Sequence, residues 1–156
     1  MLGIVLLCAA PSSPFLSDSA DFSADDLRLM EQQVHQYVNQ ERSLNRKLKL
    51  NWNEKLASEA RRHAGRLAGG SLFSHVDPSR GDIDARLDQS GIDWRRCAEN
   101  LYEGNIGDPA REAVRSWLKS AEHRKNMLNS KFNEAGVGVG VRQNGMIVIV
   151  QEYILQ

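Results

Sequence analysis

Ala135-Gly136-Val137-Gly138-Val139-Gly140-Val141 alternates strictly, with alanine or valine at odd positions and glycine at even ones. A period of two is the pattern of a strand. Asn144-Gly145 follows as a type I′ turn signal, and Met146 to Leu155 reads as the second strand of a hairpin. Glycines 136, 138 and 140 leave one face of the first strand bare. Another element, most simply a helix, is expected to press closely against that face.

Upstream of the hairpin the period is helical. Ser23-Ala24-Asp25-Asp26 is a capping box, followed by Leu27, Met30, Val34, Tyr37 and Val38 on one helix face. His35 falls on the opposite, polar face and reads as a solvated surface residue. Asn51-Trp52-Asn53-Glu54 offers a second capping box. The helix after it carries Leu56, Ala60, His63, Ala64 and Leu67 on one side and stops at Gly69-Gly70. His63 therefore reads as a core histidine bonded to a carbonyl. Residues 72–76 form a short extended piece ending at Asp77-Pro78. A third helix runs from Ser79-Arg80-Gly81-Asp82 to Gly91, and Glu99 to Tyr102 is a strand or a bend. Asp108-Pro109 starts a helix with Ala113, Val114, Trp117 and Leu118 on its buried face. Ser120 is the N-cap of a further short helix through His123 to Leu128. Helices first and an antiparallel hairpin last give an α+β class, with helices covering a small antiparallel sheet.

The chain has 156 residues, enough for one domain with a real core, which we place at 23–156. Twenty basic residues balance twenty acidic ones, so no global field attracts nucleic acid, and a nucleic-acid partner is not expected. The two cysteines, Cys8 and Cys97, make no disulfide framework, and a bridge between them requires that the leader be retained. Cys97 reads as a small core residue. Residues 1–22 read as a degenerate signal or leader and linker. Leu2 to Ala10 is apolar, about the length of a signal-peptide core and too short to span a bilayer, but no basic residue precedes it. The competing reading is a disordered apolar N-terminus on a cytoplasmic protein. No transmembrane helix is expected in the mature domain.

Three words hold chemistry: Phe73-Ser74-His75, Ala98-Glu99-Asn100-Leu101 and Glu122-His123-Arg124-Lys125-Asn126-Met127-Leu128. With Val38-Asn39-Gln40-Glu41-Arg42, Leu50-Asn51-Trp52-Asn53, Trp117-Leu118-Lys119-Ser120 and Phe132-Asn133-Glu134-Ala135-Gly136, their order and spacing resemble the CAP superfamily. This superfamily comprises cysteine-rich secretory proteins, insect venom antigens and plant pathogenesis-related proteins, and the likeness is to its small bacterial SCP-domain members. The resemblance implies a three-layer α-β-α sandwich and a secreted, periplasmic or cell-envelope location. It also implies a shallow cleft where two histidines and two glutamates converge. Position by position, His75, Glu99 and His123 match three of these four. The second glutamate would stand at Ser120, so this chain departs from the pattern there. Glu122 diverges from His123 by about 100° on a helix and replaces the missing glutamate poorly unless the backbone bends, and Glu103 is another candidate.

Two neutral imidazoles suit Zn²⁺ or a similar divalent metal, with Glu99 either as a third ligand or bonded behind a histidine. The spacing is not itself a metal signature, since no HExxH is present. The plain alternative is a hydrogen-bonded His/Glu cluster that staples a loop to a helix. The resemblance supports an exported binding or interaction module whose ligand is a lipid, a peptide or an envelope component. The alternative is a hydrolase of an envelope polymer or peptide, in which His75, Glu99 and His123 activate water with or without metal. Serine catalysis by Ser74 lacks an oxyanion motif such as GxSxG.

Overall fold

The computed structural model describes residues 22–105 and 107–156. The leader and Cys8, and with them the readings made of both, lie outside the described residues. Helix α1 is Ala24–Leu44, α2 is Glu54–Gly69, α3 is Ile83–Gln89, α4 is Pro109–Lys119 and α5 is Ala121–Met127. Strands β1 (Asn51–Trp52), β2 (Arg96–Gly104), β3 (Glu134–Val141) and β4 (Ile147–Leu155) form one sheet in the order β1-β3-β4-β2. The hairpin β3–β4 and the β2–β4 pair are antiparallel as expected. β1 falls on Asn51-Trp52, expected as the start of a capping box rather than as a strand. It adds a short parallel pair to β3, which makes the sheet mixed. The α+β class and the sandwich both hold.

β3 explains the layering. A Cβ built on Gly136 would stand 2.2 Å from the backbone nitrogen of Ala57, and one on Gly138 would stand 2.1 Å from that of Arg61. The bare face of β3 is thus the seat of α2, whose backbone lies where side chains would otherwise be. The other face carries Ala135, Val137 and Val139 into the main core with Val34, Val38, Val114 and Trp117. One layer is α2 with α3, the middle is the sheet, and the third is α1, α4 and α5.

Local capping follows the sequence with two corrections. Ser23 and Asp26 form the predicted capping box, and Asp108 caps α4 ahead of Pro109. The second box does not form. Asn53 itself is the N-cap, accepting from the Leu56 N–H at 3.0 Å, while Glu54 is the first helical residue. The hairpin turn is not type I′. Gly145 has φ +81 but Asn144 stays out of the left-handed region. Arg142 N–H bonds Met146 O at 2.8 Å and Gly145 N–H bonds Arg142 O at 2.9 Å. This is a type I turn closed by a left-handed glycine, the three-residue hairpin solution.

Two side chains of the Val38–Arg42 word hold distant backbone. Asn39 exchanges hydrogen bonds with both backbone groups of Leu50, at 2.8 and 3.0 Å. Fully buried Arg42 donates to the carbonyls of Leu48, Met127, Asn129 and Phe132. His35, expected in solvent, is half-buried, edge-on to Trp52 with centroids 5.3 Å apart. Asn39 lies 3.1 Å from its Nε2, and burial lowers its pKa.

Candidate functional site

β2 ends the sheet, so one of its edges has no strand partner. An open edge needs cover, and α4 and α5 supply it. Trp117 Nε1 donates to Leu101 O at 2.9 Å and Asn126 Nδ2 donates to Glu99 O at 3.3 Å. Because side chains alternate along a strand, Glu99 points to the α2 side and Asn100 to the α5 side. Asn100 Nδ2 donates to His123 O at 3.0 Å and to the Tyr153 hydroxyl at 3.2 Å, and that hydroxyl donates to Gln151 at 2.9 Å. The site therefore straddles the β2 edge. His75 approaches from the loop on the α2 side and His123 from α5 on the other.

His75 Nδ1 lies 2.7 Å from Glu99 Oε1. Glu99 is buried, whereas the His75 side chain is 55% exposed. The second oxygen of Glu99 is bonded by Arg86 Nη2. Arg86 has no exposed surface; it also donates to the His75 carbonyl at 2.8 Å and to Glu152 Oε1 at 3.2 Å. Its Nε stands 3.6 Å from Glu59 Oε1. One guanidinium thus fixes His75 twice, through its backbone and through the carboxylate on its ring. Glu152 is pushed up to about 8, first by burial and then by the charge of Glu99. His63, also buried, stands 3.8 Å from Glu99 Oε2. Neither of its ring nitrogens finds a hydrogen-bond partner of good geometry, and the expected carbonyl bond is reduced to a weak interaction with the Ser74 backbone. Burial, then the charges of Arg86 and Arg66, lower its pKa to about 3. His63 is therefore a neutral imidazole under the site.

His123 is half-buried, and its pKa is lowered by burial and then by the charge of His75, against a smaller opposing effect of Glu122. The charge of His75 thus contributes to the electrostatics of His123 from across the β2 edge. Ser120, where the second glutamate would stand, accepts from the His123 N–H at 3.5 Å and so caps α5. Glu103 is bonded to Arg142 and Glu122 is exposed. Ser74 Oγ accepts from the Val76 N–H at 3.0 Å in a local turn, as a non-nucleophilic serine does. Half-buried Cys97 has its thiol pushed up to about 12 by burial and nearby acids, which makes it a poor nucleophile. Among the described residues no group of three or more His, Cys, Asp or Glu side chains is disposed to hold a metal ion.

Arg86, Glu59, Glu152 and the closeness of His63 to Glu99 were not anticipated. The signal was there: each is a polar residue on a stripe that is otherwise buried. Arg86 follows Ile83 by three positions, Glu59 follows Leu56 by three, and Gln151-Glu152 interrupts the apolar run Ile147–Val150.

Residues 35–153 match the family model described as CAP, cysteine-rich secretory protein family. The chain belongs to this family. Among relatives of the CAP domain, an uncharacterized membrane protein YlbC of Bacillus subtilis is 36% identical over 91 residues, 58% of this chain and 26% of that protein. YkwD, an uncharacterized protein of the same organism, is 27% identical over 129 residues, 83% of this chain and 49% of that one. The chain thus spans between a quarter and a half of these relatives. An extracellular SCP-domain protein of Bacillus anthracis superposes with a TM-score of 0.76 at 27% identity, over 86% of this chain and 44% of that one. Among the described residues no helix is long and apolar enough to cross a membrane.

Proposed function

We propose that His75 and His123 of this CAP domain form a two-imidazole site for a divalent cation such as Zn²⁺, and that the domain is an extracytoplasmic binding or interaction module that uses this cleft. The observation that carries the reading is the 2.7 Å contact between His75 Nδ1 and Glu99, with the other Glu99 oxygen engaged by buried Arg86. A carboxylate on Nδ1 favours the proton there and leaves the Nε2 lone pair free for a ligand. The lowered pKa of His123 favours its neutral, ligating form. Two imidazoles fit a borderline cation, and the remaining positions go to water or ligand. A bound ion would offer a Lewis-acidic position to a carbonyl, carboxylate or phosphate oxygen of a peptide or envelope component.

Glu99 serves in this reading to orient His75 rather than to ligate. The hydrolase alternative needs a carboxylate free to take a proton from water, and both oxygens of Glu99 are engaged. Binding is therefore preferred. A lipid-carrier reading would look to the groove of about 820 Å³ along α1. Its lining mixes His35 and Leu44 with Gln36, Asn39, Gln40, Ser43 and Lys49, and no residue of the His75–Glu99–His123 cleft contributes to it. The extracellular B. anthracis relative and the apolar leader support export.

Calorimetric zinc titration tests the site. Wild-type protein is expected to bind one equivalent, and His75→Ala and His123→Ala each to abolish it. Absence of heat, or the same heat in both variants, would leave a stapling His/Glu cluster instead.

A further inference from the structure

α5 turns one face to β2 and another to the turn after α1. On that second face Arg124 and Lys125 line an open groove of about 580 Å³, with Lys47 on the opposite wall and Asn129 and Ser130 at its end. Three cations and no carboxylate line it. None of the three joins an ion pair among the described residues. Several other arginines are paired, Arg61 with Glu31 and Glu54, Arg80 with Glu59 and Arg142 with Glu103, whereas Arg46, Arg95 and Arg96 stand outside any ion pair among the described residues without being gathered in one groove. Three cations gathered in one groove without a carboxylate make a local positive field in a chain of zero net charge.

The walls of this groove are held in place. Arg42, with no exposed surface, donates to Leu48 O at 2.8 Å on one wall. On the other it donates to Met127 O at 2.8 Å and Asn129 O at 2.9 Å. One guanidinium therefore fixes the width of the groove. It also covers carbonyls at the C-terminal end of α5, whose partial negative charge would repel an anion. Beside it, Arg46 has φ 56, and among the described residues no other non-glycine residue has a positive φ. The next residue, Lys47, returns its N–H to Arg42 O at 2.8 Å. With the Arg46 N–H to Ser43 O bond at 3.0 Å, this is the left-handed ending that closes α1 and sets where Lys47 stands.

We propose that this groove binds a phosphate-bearing anionic chain that is not a nucleic acid. A guanidinium presents a planar fork to phosphate oxygens, and the two ammonium groups add point charges on either wall. The groove is shallow and its cations stand on two separate elements, which suits an extended chain better than a compact ligand that needs enclosure. Its lining contains no aromatic side chain on which bases would stack. The groove is formed by residues other than His75, Glu99 and His123, so it stands or falls independently of the metal reading.

The test is the affinity of the full chain for short-chain polyphosphate at two salt concentrations, for wild type and for the triple variant Lys47→Gln, Arg124→Gln, Lys125→Gln. We expect salt-sensitive binding by the wild type, weakened about tenfold or more in the variant with a flatter salt dependence. Circular dichroism and the thermal midpoint of the variant check that its fold is intact. Four results would overturn the proposal: wild-type affinity retained in the variant, no binding by wild type, equal binding of polyglutamate, or tighter binding of oligothymidylate than of polyphosphate.

Discussion

Arg86 is the side chain on which the site depends. Its fork meets Glu99 and Glu152 in the interior and holds the His75 carbonyl. Arg86→Ala would leave Glu99 and Glu152 facing each other without a cation, at a cost of about 3–5 kcal/mol, seen as a lower urea midpoint. Arg86→Lys keeps the charge but loses the fork, so it should fall between the two. Glu99→Gln removes the charge behind His75 while keeping the shape. Zinc affinity should fall about 10- to 100-fold, with a loss of stability smaller than that of Arg86→Ala. At this scale His75, Glu99 and His123 were legible because they stand in recognisable words. Arg86 and Glu152 were not, because nothing local says which buried charges will meet. Their partners come from α3, β2 and β4, which only the tertiary fold brings together. Ser120 shows the reverse case: an apparent gap in the site is explained by a local duty, capping α5.

Among the elements, β3 and α2 carry the most information. The glycine alternation announced both a strand and a helix seated on it, and the close approach at Gly136 and Gly138 bears this out. Gly138→Ala sets a Cβ 2.1 Å from the Arg61 backbone nitrogen, so α2 must lift from the sheet. The expected cost is about 3 kcal/mol or more, read as a lower denaturation midpoint. Val139→Ala on the other face of the same strand deletes buried methyls and should cost about 1–3 kcal/mol, which separates packing loss from backbone clash. The long helices and both long hairpin strands were readable because their periods run over many residues. β1 was not, since two residues have no period and its pairing to β3 is set by Asn51↔Glu134, far along the chain. The hairpin turn was misassigned because Asn-Gly is compatible with two turn geometries, and the register of β3 with β4 selects between them.

For the whole molecule, two buried groups set opposite slopes of stability against pH. Glu152 is pushed up from 4.5 to about 8, so between those values the folded state holds a proton that the unfolded chain has released. Stability therefore falls as pH rises toward 8. His63 is pushed down from 6.5 to about 3, so below 6.5 the unfolded chain takes up a proton that the folded state refuses. Stability falls as pH drops from there toward 3. The two trends oppose each other between about 4.5 and 6.5, so their combined maximum lies in that window. Glu152→Gln removes only the alkaline arm. Its Tm should lose the wild-type decline between pH 6.5 and 8 while keeping the acid one. A decline of equal size in the variant would place the titrating group elsewhere.

The claim that holds the account together is that two imidazoles from opposite sides of the β2 edge share one ligand, with Glu99 fixing the first. Imidazole ¹⁵N spectra during zinc titration test it most directly. On one equivalent, Nε2 of His75 and one ring nitrogen of His123 should shift together, while Nδ1 of His75 keeps its proton toward Glu99. A response from one ring alone, from neither, or from Nδ1 of His75 would contradict it.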